Sequence, residues 1–427
     1  MVTYDFIVTE GSDFLTTENG DYIIFTRALI SETGSETKVL VPTYHQELGL
    51  SLTAYTSIAE GADVVEVLDV NMNTYNHSIS ANGGYDSMSV TLSNDRISID
   101  EWIERGVGRH IQVHNNAGNI CWEGFVNSIS AQLGSYSIKV GPLMDIGNRV
   151  SVSYAEITSL DPFIVGQDTV TVIAENEDSQ NKFGIIEKVL SGGRMYNGAP
   201  MFEADLVRDT FLKERAFPET SSEISVGGGS GAPGLTIECL GYWYWTNAYV
   251  FNDTGVTTVT CDERIAQIIG DNPNINMYLS ASIQTNNSIL PEYTDEDKLA
   301  MAHLKEILAL GGASDQRYTL GCYENREFIY REIPTMPKYK TNLGDQGQRI
   351  LTYEGALVYP WDIRPAQWLF VSDSLIGRYT DITDYYEDPR YMFIEKVSYS
   401  SPWNVTLSGS RVGTYEQLLS KMGLGNF

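Results

Sequence analysis

Four cysteines stand at Cys121, Cys239, Cys261 and Cys322, and five histidines at His45, His77, His110, His114 and His303. These are the residue types that bind metals, carry redox chemistry or move protons near neutral pH. Their spacing argues for none of these roles. No two cysteines fall within a CxxC or CxxxxC interval and no histidine flanks them, which is the usage of small apolar residues in a reducing compartment. His110 and His114 are four apart, but Arg109-His110-Ile111-Gln112-Val113-His114 alternates as a strand does. Such positions lie about 13 Å apart on one face of a strand, too far to share an ion.

The carboxylates are many and offer no selected pair. Asp381, Asp384, Glu387 and Asp388 invite a calcium reading, yet the stretch lacks the spaced oxygen ligands and the sharp-turn glycine of a calcium loop and reads as a solvated acidic loop. Tyr242-Trp243-Tyr244-Trp245 is either a sugar-stacking platform or, on an alternating strand, two aromatic pairs of which one at least faces a core or a subunit interface. Gly227-Gly228-Gly229-Ser230-Gly231 is a flexible loop: no Lys-Ser/Thr follows it to hold a phosphate. No Gly-x-Ser-x-Gly elbow and no Ser, His and Asp triad stand out. A glycosidase needs only two carboxylates, and nothing selects them. No catalytic, cofactor-binding or metal residue is therefore assigned, no cofactor is expected, and the chain is expected not to be an enzyme.

The elements that would position these groups are mostly strands. Gly 38 and Tyr 26 are high counts in 427 residues, a signature of β structure with many turns. Residues 1–30 repeat with a period of eight (Asp5-Phe6-Ile7, Asp13-Phe14-Leu15, Asp21-Tyr22-Ile23), with Asn19-Gly20 as a hairpin signal. They read as a β-meander arm, too small to bury much alone and suited to adding strands to a neighbour. Residues 31–155 carry short strands at about ten-residue spacing, as in a small barrel. These include Asn76–Ser80, Ser87–Leu92, Arg109–His114, Cys121–Val126 and Ser135–Val140, with a brief helix capped by Asp100 that turns Trp102 inward. Residues 156–235 hold a helical period at Gly184–Leu190 and at Phe202–Arg215, where Phe202, Leu206 and Phe211 mark an inner face. Residues 236–412 return to strands (Leu235–Leu240, Arg317–Tyr323, Glu327–Ile333, Met392–Ser400, Asn404–Leu407). The clearest helix, Thr294–Leu310, starts at a capping box of Thr294 and Asp297 and buries Leu304 and Ile307. Residues 413–427 end in a short helix, Thr414–Met422.

Charge bounds the partners. Lys+Arg 28 against Asp+Glu 56 leaves −28, which repels phosphate and anionic membranes and excludes general nucleic-acid binding as the main role. Arg364 and Arg378, among few cations, are expected to be partly buried beside acidic partners. No basic and apolar leader opens the chain, and no apolar run reaches 18 residues.

Three stretches resemble the tail hub, or baseplate hub, proteins of long-tailed bacteriophages in their minor tail protein form. The first runs from Ser78-Ile79-Ser80-Ala81 through Gly106-x-Gly108-Arg109 and Trp122-Glu123-Gly124-Phe125-Val126 to Gly141-Pro142-Leu143-x-Asp145-Ile146-x-Asn148-Arg149-Val150. The second joins Phe183-Gly184-Ile185-Ile186-Glu187, the helix before Pro218, and Glu238-Cys239-Leu240-Gly241-Tyr242-Trp243. The third joins Leu320-Gly321-Cys322-Tyr323-Glu324-x-Arg326, Tyr359-Pro360-Trp361-x-Ile363-Arg364-Pro365 and Asp388-Pro389-Arg390-x-Met392-Phe393-Ile394-Glu395.

The resemblance implies a mainly β virion structural protein. Two small tail-tube-like β-barrel domains, 31–155 and 236–412, would be joined by a helix-containing α+β insertion at 156–235. It implies a homotrimeric ring at the tail tip that takes part in host cell attachment and DNA ejection and lets viral DNA pass in transit. Its partners would be the tail tube or distal tail protein, the tape measure protein and tip, fibre or spike proteins. The setting would be the virion after synthesis in the host cytoplasm. Two alternatives stand beside it: a carbohydrate-binding or polysaccharide-degrading tail protein, and a hexameric distal tail or adaptor protein.

Overall fold

The computed structural model describes residues 50–59, 62–69, 75–92, 96–115, 117–160, 163–195, 200–226, 231–252, 259–274, 277–290, 298–312, 316–342, 350–372, 391–400 and 404–409. The arm at 1–30, His45, Asp381 to Asp388, Arg378, the capping box at Thr294 and Asp297, most of the Gly227 loop and the 414–422 helix lie outside them.

The chain is mainly β, as its composition predicts, and among the described residues most strands belong to one 14-stranded sheet. Its first strands are β1 (Leu50–Tyr55), β2 (Val64–Asp69), β3 (Asn76–Ser80), β4 (Gly83–Leu92), β5 (His110–Asn115), β6 (Ile120–Gly134) and β7 (Tyr136–Val140). Alternation sets the faces: Met88, Val90 and Leu92 of β4 are buried while Ser87, Ser89 and Thr91 are less so. Helix α1 (Arg96–Arg105) lies between β4 and β5 and buries Trp102. Asp100 sits within that helix rather than at its cap, because helical backbone already begins at Arg96.

Distant parts of the chain interleave in this sheet. Strand β13 (Gly231–Leu240) lies antiparallel between β4 and β6, with Ile237 opposite Val90 on one side and Ile129 on the other. Strand β15 (Tyr318–Cys322) runs parallel to the start of β4, and β16 (Glu327–Glu332) and β14 (Ser280–Ile283) continue outward from it. Strand β21 (Lys396–Ser400) pairs with β3 and carries β22 (Asn404–Ser408). At the β4–β15 junction a Cβ on Gly84, at φ +77°, would sit 2.1 Å from the Cys322 carbonyl oxygen, so only glycine allows the two strands to meet. Among the described residues no sheet closes into a barrel: the main sheet ends in open strands.

A second sheet holds β8 (Arg149–Leu160) against antiparallel β9 (Phe163–Val170) and β10 (Ala174–Glu175) on one side and parallel β11 (Glu187–Met195) on the other. Here the helical reading of 184–190 gives way. The helix is the preceding turn, α2 (Glu177–Phe183), capped by the Asn176 side chain on the Ser179 N–H and ended at Gly184, φ +82°. Val189 and Leu190 then extend to join the β8 ladder. Helix α3 (Pro200–Arg215) crosses this sheet, and β12 (Thr220–Ile224) follows it to pair with β7. Helix α3 appears where periodicity places it, but of its expected inner face only Phe211 is half-buried. Ala204 packs on Val152 and Tyr154, while Phe202 and Leu206 are 69% and 58% exposed.

Helix α4 (Cys261–Gly270) precedes α5 (Ala300–Leu310). Helix α5 starts at Ala300 rather than Thr294: Leu299 is extended and bridges Val250, and the Ala300 N–H bonds the Tyr249 carbonyl. Leu304 and Ile307 are buried, as expected. A third sheet orders β18 (Ile350–Thr352), β17 (Pro337–Asn342), β19 (Trp368–Ser372) and β20 (Tyr391–Phe393). The stretch 392–400, expected as one strand, is split after Phe393. The Ile394 N–H turns to the Gln367 carbonyl, and β20 and β21 serve different sheets. No helix among the described residues is long and apolar enough to cross a membrane.

Candidate functional site

A compact group of buried ionisable side chains lies where β5, β6 and two short 3-10 turns (Tyr242–Asn247 and Glu324–Arg326) meet. Antiparallel register sets Gln112 opposite Glu123, with His110 two residues before Gln112 on the same face. Glu123 is 1% exposed. Its Oε1 accepts from Gln112 Nε2 at 2.8 Å and lies 3.3 Å from His110 Nε2, and its Oε2 accepts the Arg326 backbone N–H at 3.0 Å. The Tyr242 hydroxyl lies 2.7 Å from His110 Nδ1, and Tyr55 donates to Gln112 Oε1 at 2.7 Å. Nδ1 also faces the Gly124 carbonyl at 3.1 Å, so the ring is held between Glu123 on one nitrogen and Tyr242 and Gly124 on the other.

Electrostatics follow from burial. Removal from water pushes His110 down to about 3, assisted by the nearby Arg326 charge. Burial raises the Glu123 carboxyl against the bonds from Gln112 and Arg326 that favour its charged form. Burial raises the Tyr242 hydroxyl well above the ordinary tyrosine value. Arg326 sits at φ 55°, directly after Asn325 at φ 59°. The Glu123 carboxylate and the Ile58 carbonyl, which accepts from Arg326 Nη1 at 2.5 Å, hold this left-handed pair in place. The guanidinium stacks 4.6 Å from the Tyr242 ring centroid. The arrangement has the parts of a proton relay, but its work here is to bind β1, β5, β6 and both turns into one buried joint.

Arg364 makes a second joint. Its Nη2 and Nε donate to Glu324 Oε1 at 2.7 and 3.0 Å, Nη1 donates to the Trp361 carbonyl at 2.9 Å, and Nη2 reaches the Ile120 carbonyl at 3.3 Å. This meets the expectation of partial burial beside an acid. Burial alone would raise the Glu324 carboxyl; the Arg364 charge outweighs it and holds the group below the usual range. A third group is more open. Asp86 accepts from Lys396 Nζ at 2.9 Å, Tyr244 at 2.7 Å and Ser78 at 2.9 Å, beside a shallow polar depression of about 310 Å³ that includes Asn76, Ser398 and Thr406.

The other candidate residues scatter through the core. The four cysteines are buried thiols that form no disulfide with one another. His77 stacks on Tyr399 and lies 2.7 Å from the Tyr75 hydroxyl, and His303 is buried on α5. Tyr242 to Trp245 form a 3-10 turn (Tyr242–Asn247) instead of a strand. The ladder stops at Leu240 because Gly241 presses against the Tyr85 carbonyl, where a Cβ would come within 1.8 Å. Tyr242, Trp243 and Trp245 are buried, so their faces belong to the core rather than to a ligand. Among the described residues no three His, Cys, Asp or Glu side chains are grouped so as to hold a metal ion. Sequence reasoning missed Glu123, Arg326 and Glu324. The one available signal was a carboxylate inside the apolar run Cys121–Val126.

No family model and no curated protein matches the chain. Among solved structures it is similar to a tail protein from Neisseria meningitidis MC58, at 9% identity and TM-score 0.38, over 86% of this chain and 99% of that one. It is also similar to the 43 kDa tail protein of prophage MuSo2 from Shewanella oneidensis, at 8% identity and TM-score 0.38, over 85% and 97%. A third likeness is to a PdpA–VgrG complex, at 8% identity and TM-score 0.30, over 83% of this chain and 60% of that one.

Proposed function

We propose that this chain is a structural subunit of a bacteriophage tail tip, a hub-type protein that associates with copies of itself into a ring. The observation that carries the reading is the open main sheet. It gathers strands from both ends of the described chain and, among the described residues, still ends in strands with one bonded neighbour, such as β12 on β7. An unpaired edge is a site for strand addition, and strands from adjoining copies can complete a wall that one chain leaves open. The order of motifs shared with tail hub proteins agrees with this. So does the absorption of the His110, Glu123 and Arg364 groups into structural joints. A −28 subunit facing a channel would let DNA pass without holding it.

In this reading the ring is a trimer in the virion tail. A tail tube or distal tail protein docks on one face, tip or fibre proteins on the other, and the tape measure protein and then DNA pass through the lumen. Negative-stain imaging of the purified protein tests it: a hollow particle with threefold symmetry is expected. Sixfold averages would assign the chain to the adaptor class instead, and a solid single-subunit particle would remove the ring.

A further inference from the structure

We infer that the outward face of α3, with the turn at Val172 and Ile173 beside it, is the surface through which copies of this chain associate. The inference rests on the ring-forming reading and names its contact. Helix α3 buries Ala204 against its own sheet, with Phe211 and Leu212 half-buried further along, and presents Met201, Phe202, Leu206 and Val207 to solvent at 45–69% exposure. Arg208 Nη1 donates to the Val172 carbonyl at 2.7 Å, which holds Val172 (72% exposed) and Ile173 next to the helix. A shallow depression of about 430 Å³ lies along α3 between Leu206 and Arg215, lined also by Val207, Thr210 and Phe211.

Area and charge select a second copy as the occupant. These six side chains expose on the order of 600 Å² of apolar surface, at the upper end of what a monomer carries and most of the roughly 800 Å² each partner buries in a specific contact. The face is also electrically quiet. Arg208 is bonded to Asp205 and Asp209, each at 2.8 Å, and Arg215 to Glu219 at 2.6 Å. Four carboxylates and three cations between Met201 and Arg215 leave one net negative charge, on a chain that carries −28. Two such molecules repel each other over most of their surface and approach at least cost where charge is compensated locally. A cationic partner would be drawn to the acidic surface elsewhere.

Light scattering over a concentration series, at about 0.1 and 0.5 M salt, tests the contact. The wild-type protein should form oligomers whose fraction rises with salt, because screening weakens the repulsion and leaves the apolar contact. The double variant Phe202→Asp, Leu206→Asp should melt like wild type and associate at least tenfold more weakly. Val172→Asp, on a different element, should act in the same direction and covers the case in which the helix variant misfolds. Ile289→Asp, at a position 66% exposed on the segment that bridges Thr260, is the control and should change nothing. Wild-type oligomers that are indifferent to all three α3-face substitutions would overturn this contact and leave the ring reading standing. A wild-type monomer at every concentration and salt would remove both.

Discussion

Glu123 is where the buried polar bonding converges, and its loss should be the costliest single polar change. Glu123→Ala strands the Arg326 N–H, Gln112 Nε2 and the Arg326 charge without water, a change of about 3–5 kcal/mol in denaturant unfolding. Glu123→Gln should cost less, since its amide oxygen still accepts the Arg326 N–H. Equal losses in the two variants would show that volume, not the carboxylate, holds the joint. Arg364→Lys is the companion test: a lysine cannot reach Glu324, Trp361 and Ile120 together, and a loss of about 1–3 kcal/mol is expected from the same measurement. Residue identity made half of this legible. A scarce cation in an acidic chain must find an acid, so the burial of Arg364 could be read in advance. Its partner could not, because Glu324 is 40 residues away and comes within reach only through the fold.

Elements were legible where pattern and burial coincide and misread where they part. The α5 periodicity marked Leu304 and Ile307 correctly, and the helix starts late because the Val250 bridge holds Leu299 extended. Leu304→Ala should therefore cost about 2–5 kcal/mol and Leu304→Asp should prevent folding, both read by thermal melting. Helix α3 shows the opposite case. Its apolar stripe was visible, but a stripe does not say what it faces, and the close approach to the sheet is made through Ala204. Phe202→Ser should consequently change stability by no more than about 0.5 kcal/mol, whereas an inward-facing phenylalanine would cost several times that. The 184–190 stretch failed for a related reason. A short apolar run fits a helix or a buried strand equally, and the parallel pairing with β8 that decides it is non-local.

At the scale of the whole molecule, the strand-rich class was readable from composition, but the interleaving was not. Nothing local says that β13 inserts between β4 and β6, or that β21 returns to β3 more than 300 residues later. That closure seals His77 and His110 inside one fold, and it has a global consequence. Burial, followed by the charges of Arg364 and Arg326 respectively, lowers each histidine from 6.5 to about 3. The unfolded chain therefore binds protons at both positions between pH 6.5 and 3 while the folded chain does not. Their contribution to stability is complete above pH 6.5 and is lost as pH falls through that window. Glu123 and Asp362 act in the opposite sense, because a raised folded value favours the fold as the group protonates, while the lowered His114, Asp86 and Glu324 act in the same sense as the two histidines. Melting temperature should thus decline as pH drops from about 6.5 towards 4. His77→Phe, which can keep the stack on Tyr399 and gives up the Tyr75 bond, should melt lower at neutral pH and show a shallower decline. A wild-type profile that stays flat over this range would mean that water reaches both imidazoles, and that the sheet does not seal as the interleaved pairing requires.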